Sequence, residues 1–290
     1  MKILNIGSLN IDYFYRVSHF VRPGETLSST DFECLAGGKG SNQSLALARA
    51  GAHVHHVGRI GHDGLFLREL LQRENVNVDD IIVTTTPTGH AIIQVTPEGE
   101  NAILLYPGAN HTFLETEINI LFAPSHGPTL LLTQNETNLV SYALAQAAQN
   151  NVKIFFNPAP FTKEVMHYPL SKVYCLIVNQ TEAQQITGKT EVNEIFPALR
   201  KQFPQINFLL TLGEQGVRGW FENQEIRQNI IPTTVVDTTA AGDTFIGYFI
   251  ACLYQHELTV QESLYKACKA ASLCVSRPGA AQSIPRWSEI

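Results

Sequence analysis

The chain has 290 residues, of which 44% are hydrophobic and 16% are charged, a composition typical of a globular protein with a substantial core. Its formal net charge of −6 argues against a broad basic surface for nucleic acid or an anionic membrane, so a small-molecule partner is favoured. No apolar run reaches the roughly 18 residues that a membrane helix needs, and the segment from Met1 to Asn10 lacks the plan of a signal peptide. We therefore expect a cytoplasmic protein.

Cysteine and histidine usage gives no sign of a disulfide or a zinc site. The cysteines form no CxxC pair, and their odd number in a reducing compartment favours free thiols. His53, His55 and His56 lie in or beside a predicted strand, whose alternation places His56 on the opposite face from the other two. Because no third ligand is evident nearby, we expect no metal at these histidines.

Short apolar or β-branched segments alternate with helical stretches along most of the chain. The predicted strands are residues 2–7, 54–57, 129–133, 153–156, 176–178 and 208–212. The predicted helices are residues 42–51, 65–73, 139–149, 181–187, 194–203, 244–255 and 260–276. Such alternation predicts an α/β fold with parallel strands and crossover helices, in which ligands bind beyond the carboxyl ends of the strands.

Two regions interrupt this alternation. Residues 11–35 and about 89–106 carry strand patterning without crossover helices, and the second contains a turn signal at Pro97–Asn101. We interpret them as a small antiparallel sheet that projects from a single domain spanning residues 1–290. One face of such a sheet needs a cover, which a bound substrate or a second subunit would provide.

The strongest local motif spans residues 237–245 and precedes an apolar helix. Its small residues allow the N–H groups of Ala241, Gly242 and Asp243 to converge at a helix N-terminus, where free donors and the macrodipole favour an anion. Asp243 could then accept the proton of a hydroxyl whose oxygen attacks phosphorus. The alternative is a structural helix cap formed by Thr239 or Asp243.

Two further polar motifs lie where ligands are expected. The run Gly37–Gln43 opens the first long helix, and its Lys39 and Asn42 are placed to hydrogen-bond hydroxyls or phosphate. It is neither a Walker A loop nor a dinucleotide fingerprint, so an ordinary loop is the alternative. Asn10 and Asp12 follow the first strand and could bind two adjacent sugar hydroxyls as donor and acceptor, with turn chemistry as the alternative.

Over nearly its whole length the sequence resembles the ribokinases of the PfkB carbohydrate kinase family. The resemblance rests on seven ordered motifs, namely Asn10 with Asp12, Gly37–Gln43, Gly58–Gly61 with Asp63 and Gly64, Asn157–Pro160, Asn179 with Glu182, Thr211–Gly213 with Gly216, and Asp237–Phe245. It implies a three-layer α/β/α sandwich with a mainly parallel central sheet and a small β-sheet lid over the sugar. It also implies a homodimer that forms through the lid.

The resemblance further implies transfer of the γ-phosphoryl group of ATP to a primary hydroxyl. Asp243 would be the catalytic base, with Ala240, Ala241 and Gly242 as the anion hole. The residues implied in sugar binding are Asn10, Asp12, Gly38, Lys39, Asn42, Glu136 and Asp243. The residues implied beside ATP are Asn179, Glu182, Thr211, Gly213, Gly216 and Gly242, and Glu182 would act on Mg²⁺ through a bound water.

A monovalent cation site is implied near the end of the chain. The residues implied around the ion, mostly through backbone carbonyls, are Asp237, Thr239, Cys274, Arg277, Gly279 and Ser283. Carbonyl ligands tolerate side-chain changes, so Cys274 in place of a smaller residue is compatible with the site. Pro278 departs from the pattern and would alter the shape of the loop. We expect activation by K⁺.

The resemblance to ribokinases implies D-ribose as the acceptor, with ribose 5-phosphate as the product. Because scattered side chains build the sugar pocket, another pentose, a ketohexose, a sugar acid or a nucleoside remains an alternative. A sugar-binding regulator without turnover could have lost Asp243, Asn179 or Glu182, and all three are present. A nicotinamide dehydrogenase would need a glycine fingerprint after its first strand, where this chain has only Gly7.

Overall fold

The computed structural model describes residues 1–123 and 127–290. Within them the strands are β1 (Ile3–Ile6), β2 (Asn10–Arg16), β3 (Asp31–Gly37), β4 (Val54–Gly61), β5 (Ile81–Thr84), β6 (Gly89–Val95), β7 (Asn101–Tyr106), β8 (Leu130–Gln134), β9 (Lys153–Asn157), β10 (Cys175–Asn179), β11 (Asn207–Thr211), β12 (Val217–Phe221) and β13 (Gln224–Gln228). The helices are α1 (Lys39–Arg49), α2 (Leu65–Arg73), α3 (Glu115–Leu121), α4 (Val140–Gln149), α5 (Gln180–Thr187), α6 (Val192–Gln202), α7 (Ala241–Tyr254) and α8 (Val260–Val275).

The larger sheet has the strand order β13-β12-β11-β10-β9-β8-β1-β4-β5. All neighbouring pairs from β11 to β5 are parallel, and β12 and β13 extend the sheet in antiparallel fashion. The central strands β1 and β8 are buried along their whole length, as parallel strands covered on both faces should be. One core joins the sheet to α1, α2, α7 and α8, and the other joins it to α3, α4, α5 and α6. The predicted three-layer α/β/α sandwich is confirmed.

The smaller sheet has the strand order β3-β2-β6-β7. Strand β2 is antiparallel to β3 and parallel to β6, and β6 is antiparallel to β7. The prediction of a wholly antiparallel sheet is therefore wrong at the β2–β6 pair. These two strands are not hairpin partners, because β3 and four elements of the main body lie between them in the chain, and so long a connection permits parallel pairing.

Two helices begin at the edge of the large sheet where its parallel strands end. The helices α1 and α7 pack closely, since a Cβ on Gly247 would lie only 2.4 Å from the Cβ of Ala46. The first turn of α1 also lies on the segment between β1 and β2, where Ser41 N donates to Ser8 O at 2.9 Å. A Cβ on Gly40 would lie 2.4 Å from Ser8 N, so a larger residue would separate these segments. In the described part of the chain, no helix has both the length and the apolar character that a membrane crossing requires.

Candidate active site

Asp243 lies in the first turn of α7 and is only 7% exposed. Two amide groups from α1 donate to its carboxylate, with Asn42 Nδ2 3.2 Å from Oδ2 and Gln43 Nε2 2.9 Å from Oδ1. No side chain caps α7, and Thr239 instead bonds to Asp237. The helix-cap interpretation of Asp243 therefore does not describe this structure, in which the carboxylate faces polar groups of a second helix.

The turn before α7 shapes the predicted anion hole. Ala240 has a left-handed conformation with φ of 60°, and Ala241 N donates to Thr238 O at 3.3 Å. The space where Gly242 would carry a side chain is open to a distance of 4 Å. The backbone at Gly242 is thus the most accessible of the three predicted positions, whereas the Ala241 amide already has a partner within the turn.

Lys39 lies among the predicted acidic residues of the site. Its pKa is raised by the negative charge of Asp243, against the effect of burial, and by the charges of Glu136 and Glu182. The backbone N–H of Lys39 donates to Glu136 Oε2 at 2.9 Å, and the Ser8 hydroxyl donates to the same oxygen. Burial raises the pKa of Glu136, while Lys39 opposes this shift. The Lys39 ammonium group therefore lies within electrostatic range of the predicted base, sugar-binding and metal-facing carboxylates.

Asn10 and Asp12 lie in β2, and the turn interpretation of these residues is wrong. Burial, together with the charge of Glu136, raises the pKa of Asp12 to about 7. Asn10 Oδ1 accepts a hydrogen bond of 2.8 Å from Asn110 Nδ2. Asn110 is itself fixed by the backbone N–H and carbonyl of Leu9 at 3.0 and 3.2 Å. With its oxygen engaged, Asn10 can offer its NH₂ group to a ligand as a donor.

Glycines on both neighbouring strands make room for these side chains. Asn10 of β2 pairs with Gly37 of β3 and with Gly89 of β6. A Cβ on Gly37 would lie 2.0 Å from Asp12 Oδ2, and a Cβ on Gly89 would lie 2.6 Å from Asn10 Oδ1. Gly38 follows with φ of 93°, a conformation that favours glycine. The close approaches in the glycine run are therefore made largely to the chain itself.

Asn179 and Glu182 form the capping box of α5. Asn179 N and Nδ2 donate to the two carboxylate oxygens of Glu182, each at 3.0 Å, and Glu182 N donates to Asn179 Oδ1 at 2.8 Å. Burial raises the pKa of Glu182, with Lys39 acting in the opposite direction and Asp243 in the same direction. A structural role thus accounts for the contacts of this pair, and the Glu182 carboxyl group lies within electrostatic range of Asp243.

The predicted nucleotide residues after β11 differ in their surroundings. Thr211 is the last residue of β11, and its hydroxyl donates to Val178 O at 3.4 Å. Gly213 has φ of 55° and open space beside its Cα, so a ligand can approach it. Gly216 has φ of 80°, and a Cβ there would lie 2.1 Å from Gln228 O. The contacts of Gly216 are therefore with β13, which explains glycine at this position without a nucleotide.

Asp237 organises the loop predicted to hold a monovalent cation. Its carboxylate accepts from Thr239 N at 2.9 Å, from Thr239 Oγ1 at 2.6 Å and from Gly279 N at 2.9 Å. Burial works against ionisation, but these hydrogen bonds hold the pKa of Asp237 below its ordinary value. The loops before α7 and after α8 are thereby joined through one carboxylate.

The remaining predicted cation residues lie in the same region. Cys274 Sγ is 3.0 Å from Ser283 Oγ and 3.6 Å from the carbonyl oxygen of Thr239. Arg277 N donates to the carbonyl oxygen of Cys274 at 3.1 Å, while its guanidinium pairs with Glu289 at 2.5 Å. The structure therefore brings the backbone of these residues together and directs the Arg277 side chain elsewhere.

Sequence reasoning missed three buried amide side chains at this site. Gln43 bonds to Asp243, Gln134 bonds to Gln43, and Asn110 bonds to Asn10. Gln43 ends the glycine-rich run, and Gln134 precedes the Asn135–Glu136 pair, so both lay next to residues already singled out. Only their position in the fold separates them from ordinary polar neighbours.

Solved structures share this fold over almost the entire chain. The ribokinase from Cryptococcus neoformans in complex with ADP is 33% identical, with a TM-score of 0.86, and the match covers 99% of this chain and 98% of that one. The ribokinase of Arabidopsis thaliana complexed with ribose and ATP is 28% identical, with a TM-score of 0.87 and coverage of 99% and 96%. The fold of this chain is therefore the fold of these ribokinases.

Sequence comparison gives the family. The pattern of the pfkB family carbohydrate kinases matches residues 1–287. The ribokinase of Staphylococcus aureus is 33% identical over 299 aligned residues, which cover 100% of this chain and 98% of the relative. The chain belongs to the PfkB family of carbohydrate kinases.

Proposed function

We propose that this enzyme transfers the γ-phosphoryl group of ATP to the primary hydroxyl of D-ribose, giving ADP and ribose 5-phosphate. The ribokinase of S. aureus and the Arabidopsis structure with ribose and ATP support this acceptor and this donor. The observation that carries the proposal is the 3.2 Å hydrogen bond from Asn42 Nδ2 to Asp243 Oδ2. It places the start of α1, with its predicted sugar-binding residues, directly beside the candidate base.

In the proposed reaction Asp243 accepts the proton of the sugar hydroxyl as that oxygen attacks the γ-phosphorus. The bond between the γ-phosphorus and the bridging oxygen breaks, and ADP departs with that electron pair. The backbone at Gly242 and the N-terminus of α7 stabilise the charge on the transferred group. Lys39 adds a positive charge next to the base.

The polar groups of the pocket suit a polyhydroxyl ligand. Asn10 is oriented as a donor by Asn110, whereas Asp12 and Glu136 supply carboxylate acceptors. Asn42 Oδ1 is buried and has no hydrogen-bond partner among the described residues, so it can accept from a sugar hydroxyl. A donor beside several acceptors can bind adjacent hydroxyl groups of a sugar.

Magnesium belongs to the same proposal. The Glu182 carboxylate offers oxygen atoms, which Mg²⁺ prefers, and Asn179 uses only part of their accepting capacity. These residues therefore fit a magnesium ion held through bound water. When bound, the ion would neutralise charge on the ATP phosphates. Thr211 and Gly213 would lie beside the nucleotide, with the open backbone of Gly213 as the closer approach.

A potassium ion completes the proposed site. The carbonyl groups around Asp237 and Thr239 and those of the segment from Cys274 to Ser283 would hold it. The three hydrogen bonds to the Asp237 carboxylate join the two loops and support a common site. Because Asp237 lies a few residues before α7, an ion here would stabilise the turn that forms the anion hole.

An acceptor screen tests the proposed function. Purified protein with ATP and Mg²⁺ is offered D-ribose, other pentoses, ketohexoses, sugar acids and nucleosides, and ADP release is coupled to a spectroscopic signal. We expect the highest kcat/KM with D-ribose. A strong preference for another acceptor would overturn the ribose assignment but not the kinase. Binding of ribose without any ADP release would favour a non-catalytic sugar-binding protein.

The small sheet is the proposed lid and the proposed dimer interface of a single-domain enzyme. Its outer strand β7 exposes Ile103, Leu104 and Leu105 by 59%, 68% and 45%, and Phe32 of β3 is 50% exposed. Because side chains alternate along a strand, Leu104 and Phe32 share the face opposite Asp12, and a second copy of the same sheet would cover that face. Sedimentation at working concentration should give a dimer, and a strict monomer would contradict the interface. Use of ATP supports a cytoplasmic location.

A further inference from the structure

We propose that Gln43 is a positioning residue that holds the Asp243 carboxylate in the orientation needed for proton transfer, and that Gln134 fixes Gln43. This inference rests on the proposed function, in which Asp243 is the base. Gln43 is 0% exposed in α1, and its Nε2 lies 2.9 Å from Asp243 Oδ1. A side chain that is so completely covered acts on the base without needing to touch the sugar.

The direction of the Gln43 amide follows from a backbone carbonyl. Asn5 Nδ2 donates to Gly40 O at 2.8 Å, and a carbonyl oxygen can only accept, so Asn5 Oδ1 must face the other way. Gln134 Nε2 donates to that oxygen at 3.1 Å and to Gln43 Oε1 at 2.6 Å. The Gln43 oxygen is therefore engaged by a donor, and its NH₂ group is left to face Asp243.

A second backbone carbonyl imposes the same orientation. Asn157 Nδ2 donates to Ile177 O at 2.9 Å, which turns Asn157 Oδ1 toward Gln43. Gln43 Nε2 lies 3.4 Å from this oxygen and 2.9 Å from Asp243 Oδ1. Both neighbours of the NH₂ group are acceptors, so a flipped amide would place oxygen against oxygen at two contacts. The hydrogen bonds among these amide side chains therefore fix the Gln43 NH₂ group as the donor that faces Asp243.

This fixed donor distinguishes the two oxygens of Asp243. Oδ1 receives the shorter bond, from the fully buried Gln43, whereas Oδ2 receives the longer bond of 3.2 Å from Asn42. Asn42 is a predicted sugar-binding residue in the first turn of α1, so Oδ2 is the oxygen on the sugar side. The geometry points to Oδ2 as the atom that accepts the sugar proton, with Oδ1 held by Gln43 throughout the reaction.

The substitution Gln43→Glu tests this role with little change in volume. The introduced carboxyl group keeps an acceptor for Gln134 but replaces the donor with an oxygen that faces Asp243. We expect kcat to fall about 10- to 100-fold at pH 8, with little change in KM for sugar or ATP, because misplacing a reacting group by about 1 Å can cost 10²-fold. At pH 5 the protonated carboxyl group can donate to Asp243, so the loss relative to wild type should shrink.

The matched control is Asn207→Asp, an amide-to-acid change at the start of β11, the end of that strand opposite Thr211. The Asn207 side chain donates to Tyr174 O and accepts from Glu222 N, so its loss should lower stability without a specific loss of kcat. A merely structural role of Gln43 would give the same result in both variants. An active wild type together with an unchanged kcat in Gln43→Glu would overturn the proposal.

A measurement without substrate separates this inference from the proposed function. The introduced carboxyl group lies beside the Asp243 charge, with Lys39 as the nearby cation, so its pKa is raised in the folded state. A raised pKa means that stability present at low pH is lost as the pH rises, and the Tm deficit of Gln43→Glu should widen from pH 5 to pH 8. In the Asp243→Asn background burial still raises this pKa, so the Tm deficit should widen by less. An equal widening of the Tm deficit in both backgrounds would refute the contact between residue 43 and Asp243. An inactive wild type would refute only the proposed function.

Discussion

Substitution of Gly37 by alanine should impair sugar binding by displacing Asp12. The added Cβ would lie 2.0 Å from Asp12 Oδ2, 2.3 Å from Cγ and 2.4 Å from Oδ1. The φ angle of Gly37 lies outside the left-handed region, so alanine can adopt the backbone conformation and the carboxylate is the group that must move. To reach an ordinary contact distance from the new Cβ, the Asp12 carboxylate must move by about 1 Å or more. A displacement of this size breaks its hydrogen bond to a sugar hydroxyl.

The size of the effect follows from the bond that is lost. A hydrogen bond to a charged group contributes about 1.5–3 kcal/mol, so KM for the sugar should rise about 10- to 150-fold. The KM for ATP should change little, since Asp12 lies in the small sheet and not beside the predicted nucleotide residues. Initial rates at varied sugar concentration, with ATP saturating, measure this effect.

A double-mutant cycle identifies the cause of the defect. If Gly37→Ala acts through the carboxylate, adding it to Asp12→Ala should cost little more than Asp12→Ala alone. Additive losses in the double variant would refute the reasoning, because the alanine would then harm the pocket independently of Asp12. Unchanged sugar KM in Gly37→Ala would refute it directly.

The remaining predictions concern the base, pH, cation and donor. Asp243→Asn should lower kcat about 10²- to 10⁴-fold while calorimetry still detects sugar binding, and near-normal turnover would exclude it as the base. Because the pKa of Asp12 is about 7, sugar KM should fall about tenfold from pH 6 to pH 8 as the acceptor ionises, and Asp12→Asn should lack this change. Turnover should be higher in potassium than in sodium buffer, and equal rates in the two buffers would refute activation by K⁺. Asn110→Ala should raise sugar KM about tenfold by freeing Asn10, and wild-type KM would contradict that.

Local patterns in the sequence predicted much of the large sheet because each strand and helix there carries its own signal. The helix predicted at residues 65–73 coincides with α2 (Leu65–Arg73), where apolar residues recur at helical spacing. The strand predicted at 153–156 lies within β9, where a short continuous run of apolar residues signals a buried strand. The motif around Asp243 was equally visible, since a small-residue turn before an apolar helix is a local feature.

The hairpin of β12 and β13 was not predicted, although its turn has a recognisable cause. Glu222 and Asn223 both have positive φ, 49° and 64°, as the two central residues of a tight hairpin turn require. Asparagine supports this conformation, but glutamate at the first position does not signal it. The polar strand Gln224–Gln228 lies at the edge of the sheet and lacks a clear alternation, so hydrophobic periodicity could not reveal it.

Contacts between distant residues explain what sequence reasoning missed at the site. Gln43 and Gln134 are 91 positions apart, and Asn10 and Asn110 are 100 apart. No local spacing predicts such pairs, since each depends on which strands become neighbours in the sheet. The parallel pairing of β2 with β6 has the same origin, because the direction of a returning strand is set by the body of the protein and not by its own residues.

The junction between the small sheet and the main body should couple the choice of sugar to the rate of turnover. Strand β3 ends at Gly37 and α1 begins at Lys39, so Gly38 alone separates the proposed lid from the helix that donates two hydrogen bonds to Asp243, the proposed base. A tilt of the lid that accommodates a larger sugar must therefore rotate about this residue or shift Asn42 and Gln43. Variants selected for new acceptors should therefore show a lower kcat together with the altered sugar affinity, unless the lid moves without α1.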